Sequence, residues 1–308
     1  MMTSTECPFP PVLPTGSLYL DLLLKAGGLP RGVIAEIFGG ASSGKSTLAL
    51  HILSEAQRLG LVGLYIDLEN SFTLAHARAC GLDPQKTLLA EPRTGECALE
   101  ISLQAIQGGA VPVVVLDTIA ALSPRAEIGR SAPAGGEINQ LIAPAFRRLK
   151  SACRQHRSTL ICLNQLRTRL RRGYGAPETT PGGMALRLQA DVRIRLQRSS
   201  SGGPASRGSG VRVLAAVEKG PGAGPTRSTF FNIVYNRGIN KEIELVSLGI
   251  NQEIITRKGS HYHFRNRCLG KNRREMTRTL RAEPDMAQSL ERYLRRTLFP
   301  DIPFFFLP

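Results

Sequence analysis

Four short runs between residues 33 and 164 are apolar at nearly every position. They are Val33–Phe38, Leu64–Asp67, Val113–Asp117 and Thr159–Asn164. Such runs are typical of strands in a parallel sheet that is covered on both faces. Segments with helical spacing follow them, at Ser46–Leu59, Thr73–Cys80, Cys97–Gln107 and Ile138–His156. Strands and helices alternate in this way from Val33 to Asn251, which predicts an α/β fold with a mostly parallel sheet flanked by helices.

The sequence changes character at both ends of this region. Residues 1–15 contain four prolines and predict a short extended arm. We expect residues 16–240 to form a core domain and residues 241–308 a small α+β domain with a basic surface. Inside the core, residues 127–136 and 167–183 are rich in glycine and arginine. They predict two long loops on one rim of the sheet, and loops of this length are usually functional.

Charge narrows the choice of partner. The 308 residues include 40 Lys and Arg against 24 Asp and Glu, a net charge of +16. Such an excess indicates a polyanionic partner, nucleic acid before a membrane surface, although a soluble basic enzyme is the plainer alternative. The six cysteines lack zinc-site spacing and are expected to be reduced thiols. We see no signal peptide and no apolar run long enough to span a bilayer, so a cytoplasmic protein is expected.

One motif carries specific chemistry. The pattern G-x-x-x-x-G-K-[ST] begins at Gly39 and is followed by a predicted helix. In a P-loop, glycines let the backbone wrap a phosphate, the lysine neutralises the β and γ phosphates, and the last hydroxyl binds Mg²⁺. A chance match in a glycine-rich turn is the alternative. The candidate nucleotide-binding residues are Gly39, Gly40, Ala41, Ser42, Ser43, Gly44, Lys45, Ser46 and Thr47.

Three other predicted strands end in groups that such a site needs. Asp117 closes a run of Val and Leu, and we expect it to serve Mg²⁺ together with Ser46, unless it only caps a helix. Glu69 follows the strand at Tyr65 and is the natural group to orient the attacking water, unless it is a solvated rim residue. Gln165 could hydrogen-bond a γ-phosphate oxygen, although amides often simply end strands.

The order of these and further motifs resembles bacterial RecA recombinases from about residue 15 to about residue 300. Beyond the P-loop, the resemblance rests on Gly27-Gly28-Leu29-Pro30-Arg31-Gly32, Tyr65-Ile66-Asp67-Leu68-Glu69, Asp117-Thr118-Ile119-Ala120-Ala121-Leu122, Asn164-Gln165 and Pro177-Glu178-Thr179-Thr180-Pro181-Gly182-Gly183. The last string is far more family-specific than the P-loop. The resemblance implies a DNA-dependent ATPase that uses ATP and Mg²⁺, binds single-stranded and duplex DNA, and exchanges homologous strands in recombinational repair.

The resemblance also implies individual roles. Lys45, Glu69 and Gln165 match catalytic and coupling residues, and Ser46 and Asp117 match the magnesium ligands. His76 takes the place of a tyrosine that stacks on adenine, Tyr235 matches a tyrosine near the adenine, and Lys219 matches a lysine that reaches the ATP of a neighbouring subunit. The predicted DNA-binding residues are Arg147, Arg167, Arg169, Arg171, Arg172, Tyr174, Gly182 and Gly183.

The residues themselves support DNA binding at the second loop. Four arginines lie beside Tyr174 and several glycines, so the loop can neutralise phosphates while the ring stacks on bases. A solvated basic loop is the alternative. A second basic patch in the C-terminal unit is a candidate for duplex capture, and it comprises Arg257, Lys258, Arg265, Arg267, Lys271, Arg273 and Arg274.

Some positions depart from the family. Only about fourteen residues precede Thr15, fewer than the helix and strand with which RecA proteins usually dock on the adjacent subunit. Val217 stands in place of the first of two lysines that act across the subunit boundary, which leaves Lys219 alone. These departures motivate an alternative function, a RecA-like paralogue that acts as a DNA-binding mediator or regulator without exchanging strands. A hexameric helicase or a RadA-like ATPase would share the core fold.

Overall fold

The computed structural model describes residues 12–122, 137–168, 178–180, 183–199, 210–221 and 226–302. Its first half contains β1 (Val12–Leu13), α1 (Leu18–Leu23), β2 (Leu29–Pro30), β3 (Ile34–Gly39), α2 (Lys45–Arg58), β4 (Gly63–Asp67), α3 (Leu74–Ala79), β5 (Thr87–Ala90), α4 (Gly95–Gln107), β6 (Val113–Asp117) and α5 (Glu137–His156). Its second half contains β7 (Thr159–Gln165), β8 (Arg167–Thr168), β9 (Glu178–Thr179), α6 (Gly183–Gln189), β10 (Val192–Arg198), β11 (Gly210–Lys219), β12 (Arg227–Val234), β13 (Gly238–Ile239), α7 (Lys241–Asn251), β14 (Ile255–Lys258), β15 (His261–Phe264), β16 (Arg267–Gly270), α8 (Arg273–Ala282) and α9 (Pro284–Leu298).

A nine-stranded sheet organises the larger part of the described chain. Its strand order is β13-β12-β11-β10-β3-β7-β6-β4-β5. The strands from β10 to β5 pair in parallel, whereas β10 to β13 form an antiparallel extension. The predicted α/β class, a mostly parallel sheet flanked by helices, is therefore confirmed, and the carboxyl ends of β3, β7, β6 and β4 lie at one edge.

The expected alternation of strands and helices up to Asn251 is wrong beyond α6. Among the residues that the structure describes, no helix lies between β10 and β13, and these strands pair antiparallel. Their inner positions alternate between buried and half-buried residues, as in Gly210–Lys219. This period of two is the signature of a sheet that packs on one face only, so these strands differ from the apolar runs of the parallel part.

Two hydrophobic clusters cover the two faces of the sheet. On one face α2 packs over β3, β4 and β6, with Leu48, Ile52 and Tyr65 among its fully buried residues. On the other face α4 and α5 pack over the same strands, with Phe146 and Leu116 at the centre. Burial on both faces explains why these strands are apolar at nearly every position.

The last part of the described chain is a small α+β unit. The strands β14, β15 and β16 form an antiparallel sheet, and α7, α8 and α9 pack with it around a third cluster that includes Met276 and Leu290. Leu18 of α1 contributes to the same cluster. The residues of the predicted basic patch are all exposed on this unit.

A buried ionic network joins this unit to the large sheet. Arg295 on α9 donates 2.9 Å hydrogen bonds to Asp21 on α1 and to Glu291 on its own helix. Glu55 on α2 pairs with Arg58 at 3.2 Å and with Lys241, the first residue of α7. Because buried charges are costly unless they are paired, this network fixes how the C-terminal helices lie against α2.

A membrane span is not found among the helices of the described ranges, since none is both long and apolar enough to cross a bilayer.

Glu244 gives a pH dependence of stability that can be measured. Its carboxylate is fully buried and accepts hydrogen bonds from the Ser17 hydroxyl and the Tyr19 amide. Burial raises its pKa from 4.5 to about 8. Between these values the folded protein holds a proton that the unfolded chain releases, so this group's stabilising contribution is lost as the pH rises. The slope is at most about 1.4 kcal/mol per pH unit.

We expect Glu244→Gln to flatten the loss of thermal stability between about pH 5 and 8, because a neutral amide keeps the hydrogen bonds without titrating. Asp21, whose pKa burial raises to about 6, is present in both proteins, so the difference between them isolates Glu244. Melting temperatures measured across this range test the prediction. Glu91→Gln, at an exposed position, is the control, and equal slopes in the wild type and Glu244→Gln would contradict the assignment.

Candidate functional site

The turn between β3 and α2 has the backbone that a phosphate cradle requires. Ser42 and Gly44 have φ angles of 54° and 96°, and Gly44 caps the N-terminus of α2. A Cβ at Gly39 would lie 2.1 Å from the Leu196 carbonyl oxygen, and one at Gly44 would lie 2.5 Å from Ile233. Only glycine fits these two positions, so the motif forms a tight loop that leads directly into the N-terminus of α2. The helix begins at Lys45, one residue before the predicted start.

Lys45, Ser46 and Asp117 meet at the base of this turn. The Lys45 ammonium donates to the carbonyl oxygens of Gly39 at 3.2 Å and Gly40 at 2.8 Å. Burial lowers the pKa of Lys45, and the nearby carboxylates of Asp117 and Glu69 oppose that shift. The Ser46 hydroxyl donates to Asp117 Oδ2 at 2.9 Å. A cation and two oxygen groups, from the start of α2 and the end of β6, therefore lie close together.

This oxygen pair fits Mg²⁺. Mg²⁺ prefers oxygen ligands, keeps several waters, and takes one or two protein groups plus substrate phosphates. Across the residues that the structure describes, no cluster of three or more His, Cys, Asp or Glu side chains could hold a metal ion alone. The hydroxyl of Ser46 and the carboxylate of Asp117 thus suit an ion that is shared with a phosphate ligand.

Asp67 shapes the segment that carries Glu69. Its two carboxylate oxygens accept the amides of Glu69 at 3.1 Å and Phe72 at 2.7 Å. Glu69 itself is exposed. Partial burial and the charge of Asp117 raise its pKa, while Lys45 lowers it. The Glu69 carboxylate is therefore within electrostatic reach of both groups at the base of the turn.

An open cleft of about 620 Å³ runs from the turn across the face of α2. It is lined by residues 42–47, by His76 of α3 and by Tyr235 after β12. The His76 Nε2 lies 3.1 Å from the Thr47 hydroxyl, and half of the Tyr235 surface is exposed. The structure thus brings together Thr47, His76 and Tyr235, which are far apart in the sequence, and an imidazole and a phenol ring border the space beside the phosphate cradle.

Gln165 lies next to the turn. In the parallel pairing of β3 with β7, Gln165 is the partner of Gly39, and the Leu166 amide donates to the Gly39 carbonyl at 3.1 Å. The neighbouring amide, Asn164, is fully buried and donates to Glu36 at 2.9 Å. The two amides at this strand end therefore differ, since Asn164 is held in the interior and Gln165 is at the edge.

The second predicted loop leaves the sheet directly after Gln165. The short strands β8 and β9 close its base, with Arg167 paired to Thr179 and Thr168 paired to Glu178. Gly183 is the first residue of α6. Arg169, Arg171, Arg172, Tyr174 and Gly182 lie outside the described residues, as do residues 127–136 of the first loop.

Two further predicted residues lie away from the cleft. Arg147 is exposed on α5, where its Nε donates to the Ala143 carbonyl at 3.3 Å. Lys219 ends β11, is exposed, and donates to the Leu188 carbonyl at 3.4 Å. Neither contacts the phosphate turn of its own chain in the described structure.

Sequence reasoning missed two groups around the site. Tyr65 was counted only as part of an apolar strand, but its hydroxyl donates to Asp117 Oδ2. Arg193 bridges Glu36 at 2.7 Å and Glu218 at 2.9 Å, and it stacks on Phe38 at 4.5 Å. A tyrosine inside a continuous apolar run was a usable signal for the first group, because a buried phenol needs a hydrogen-bond partner.

Comparisons with known proteins cover nearly the whole chain. Residues 7–240 match the family model described as the RecA N-terminal domain, and residues 243–298 match the RecA C-terminal domain. Similar proteins include Protein RecA of Acidothermus cellulolyticus, 39% identical over 93% of this chain and 84% of that protein. Others are Protein RecA of Chloroflexus aggregans, 39% identical, and of Roseiflexus castenholzii, 40% identical, each over 92% of this chain and 81% of the relative.

Proposed function

This chain belongs to the RecA family and is a DNA recombinase, and we propose that it couples ATP bound in the cleft to DNA held by the loop after β7. The observation that carries the proposal is the pairing of Gly39 with Gln165. The residue that opens the phosphate turn and the residue that opens the DNA loop are neighbours in one sheet. A change at the terminal phosphate therefore has a short path to the DNA loop.

The nucleotide site would use the P-loop directly. Lys45 would leave the carbonyls that it contacts and neutralise the β and γ phosphates, while the amides of residues 39–47 cradle them. Ser46 and Asp117 would hold Mg²⁺, and the ion neutralises charge on the phosphate oxygens when it is bound. His76 and Tyr235 would border the adenine, which is supported by their place in the cleft.

Hydrolysis would depend on Glu69. A carboxylate at the carboxyl end of a strand faces the crevice where ligands bind. Glu69 is close enough to Lys45 and Asp117 for their charges to shift its pKa, which supports a role in orienting the attacking water. Gln165 would report the γ-phosphate to the loop that begins at Arg167.

DNA binding would use Arg147 and the second loop, with its arginines, Tyr174 and the glycines 182 and 183. The net charge of +16 supports a polyanionic partner, and contacts to the backbone would make the binding independent of sequence. In the C-terminal unit, the arginines of α8 line an open cleft of about 860 Å³ beside α7, namely Arg273, Arg274, Arg278 and Arg281. This cleft supports duplex capture by the basic patch.

The division into an arm, a core and a C-terminal domain at residues 15 and 240 remains a prediction.

The recombinase is favoured over the mediator paralogue. The matches include both RecA domains and extend over more than nine tenths of the chain. RecA proteins in general bind DNA and form filaments, and Lys219 would act across the boundary between subunits.

We predict that Lys45→Ala abolishes ATP-dependent binding of single-stranded DNA but leaves the protein folded. The ammonium is the one P-loop group that cancels phosphate charge, and its loss should weaken binding of ATP by at least about 100-fold, on the scale of a charge-assisted contact. Fluorescence anisotropy of a labelled oligonucleotide, with and without a slowly hydrolysed ATP analogue, measures the effect. Lys25→Ala, on the turn after α1, is the control. Equal affinity of the wild type for DNA with and without nucleotide would contradict the coupling.

We predict that Glu69→Gln retains nucleotide-dependent DNA binding and loses hydrolysis. Removing a group that orients the attacking water typically costs about 100- to 10,000-fold in rate, whereas the amide leaves the Asp67 contacts of this segment in place. A phosphate-release assay at saturating ATP and DNA gives the rate, and Glu91→Gln is the control. A variant that hydrolyses ATP at the normal rate would remove Glu69 from the mechanism.

We predict that Lys219→Ala leaves nucleotide binding by dilute, DNA-free protein unchanged and lowers DNA-stimulated hydrolysis, because the lysine lies away from the cleft of its own chain. Electron microscopy with ATP and single-stranded DNA should show regular filaments of the wild type. Lys25→Ala, at an exposed position on the turn after α1, is the matched control for a lost surface charge. Full DNA-stimulated hydrolysis by Lys219→Ala would rule out a role in the neighbouring site.

A further inference from the structure

We propose that Tyr65 is a positioning residue for the magnesium site, because its hydroxyl fixes the orientation of the Asp117 carboxylate. The inference rests on the proposed function and assigns this residue a part in the same site. Tyr65 is 1% exposed and its hydroxyl donates to Asp117, so it would act through that carboxylate.

The position of Tyr65 follows from strand register. Tyr65 on β4 pairs with Val115 on β6, and Asp67 pairs with Asp117 two residues further along. Successive side chains of a strand point to opposite faces, so Tyr65, Val115 and Asp117 share the face that α2 covers. The ring lies beneath the first turn of α2, and its hydroxyl reaches forward to the carboxyl end of β6.

Two hydroxyl groups converge on one oxygen of Asp117. Tyr65 donates to Oδ2 at 2.5 Å, and Ser46 donates to the same atom at 2.9 Å. Asp117 is 4% exposed and Tyr65 is 1% exposed. A buried carboxylate needs hydrogen-bond donors, and charge-assisted bonds are the stronger kind. Tyr65 therefore supplies one of the contacts that hold this carboxylate in a single orientation.

Both of these bonds fall on Oδ2 in the described part of the chain. The Asp117 carboxylate would therefore hold Mg²⁺ in an orientation that its two hydrogen-bond donors set. Without the phenol the carboxylate could rotate toward Ser46 alone. A phenylalanine in place of Tyr65 would fill the same space but would lack the hydroxyl that donates to Asp117.

The ring of Tyr65 also supports the neighbouring segment. It lies 5.1 Å from the ring of Phe72 at an angle of 54°. The Phe72 amide is in turn bound by Asp67, which also holds the amide of Glu69. The hydroxyl and the ring thus have different tasks, and a substitution that removes only the hydroxyl separates them.

Tyr65→Phe tests the hydroxyl alone. We expect the concentration of free Mg²⁺ that half-saturates binding of a fluorescent ADP analogue to rise roughly 10- to 100-fold, the scale of a lost hydrogen-bond partner of a metal ligand. Binding of Mn²⁺ in the presence of ADP, followed by electron paramagnetic resonance, should weaken by a similar factor. At saturating Mg²⁺ the hydrolysis rate should return to within about threefold of wild type, since only the ligand's orientation is affected.

Two controls separate positioning from mere packing. Val115→Ala removes buried volume beside Tyr65 and should lower the melting temperature without changing the Mg²⁺ requirement. Tyr262→Phe removes a hydroxyl from the C-terminal unit and should change neither. The proposal is overturned if Tyr65→Phe has the wild-type Mg²⁺ requirement, or if Val115→Ala raises that requirement as much. If the wild type binds the analogue without any dependence on Mg²⁺, the proposed magnesium site fails together with this inference.

Discussion

A buried carboxylate at the end of β6 is the constraint on which the site depends. Asp117 lies where four parallel strands end, almost inaccessible to water. An ionised group there is costly unless donors surround it, and those donors come from the helix after β3 and from β4. The turn before α2, Ser46 and the segment bearing Glu69 are held in one arrangement because each contributes to satisfying this single group or lies beside it.

The sheet itself links this centre to the loop that we propose binds DNA. Gly39 and Gln165 are partners on adjacent strands, and the chain then enters the short ladder formed by Arg167 and Thr179. A ladder of backbone hydrogen bonds is stiff compared with a side chain. The proposed coupling therefore requires no long pathway through the interior, only these two neighbouring strand ends.

The sequence was sufficient for the parts of this structure that depend on local pattern. The apolar runs identified β3, β4, β6 and β7 because these strands are buried on both faces. The P-loop motif located the turn because a side chain at its glycines would clash with neighbouring atoms. The antiparallel strands β10 to β13 were not anticipated. In β11, for example, the apolar residues Leu214 and Ala216 occupy half-buried positions, so the sequence alternates less clearly than the burial does. The ionic network of Asp21, Glu55 and Arg295 was also out of reach, because its partners are up to 274 residues apart and only the packed helices bring them together.

The contact of the Tyr65 hydroxyl with Asp117 was missed for a physical reason. Hydrophobic pattern treats tyrosine as one more apolar residue, and its ring is indeed buried in the cluster under α2. Its hydroxyl, however, must find a partner, and in a parallel sheet the available partners are the groups at the neighbouring strand end. A tyrosine two residues before a strand-terminal acid is therefore a signal of its own: it indicates that the next strand in the sheet also ends in an acceptor. Here that acceptor is Asp117, and the same register that buries the ring delivers the hydroxyl to the proposed metal site.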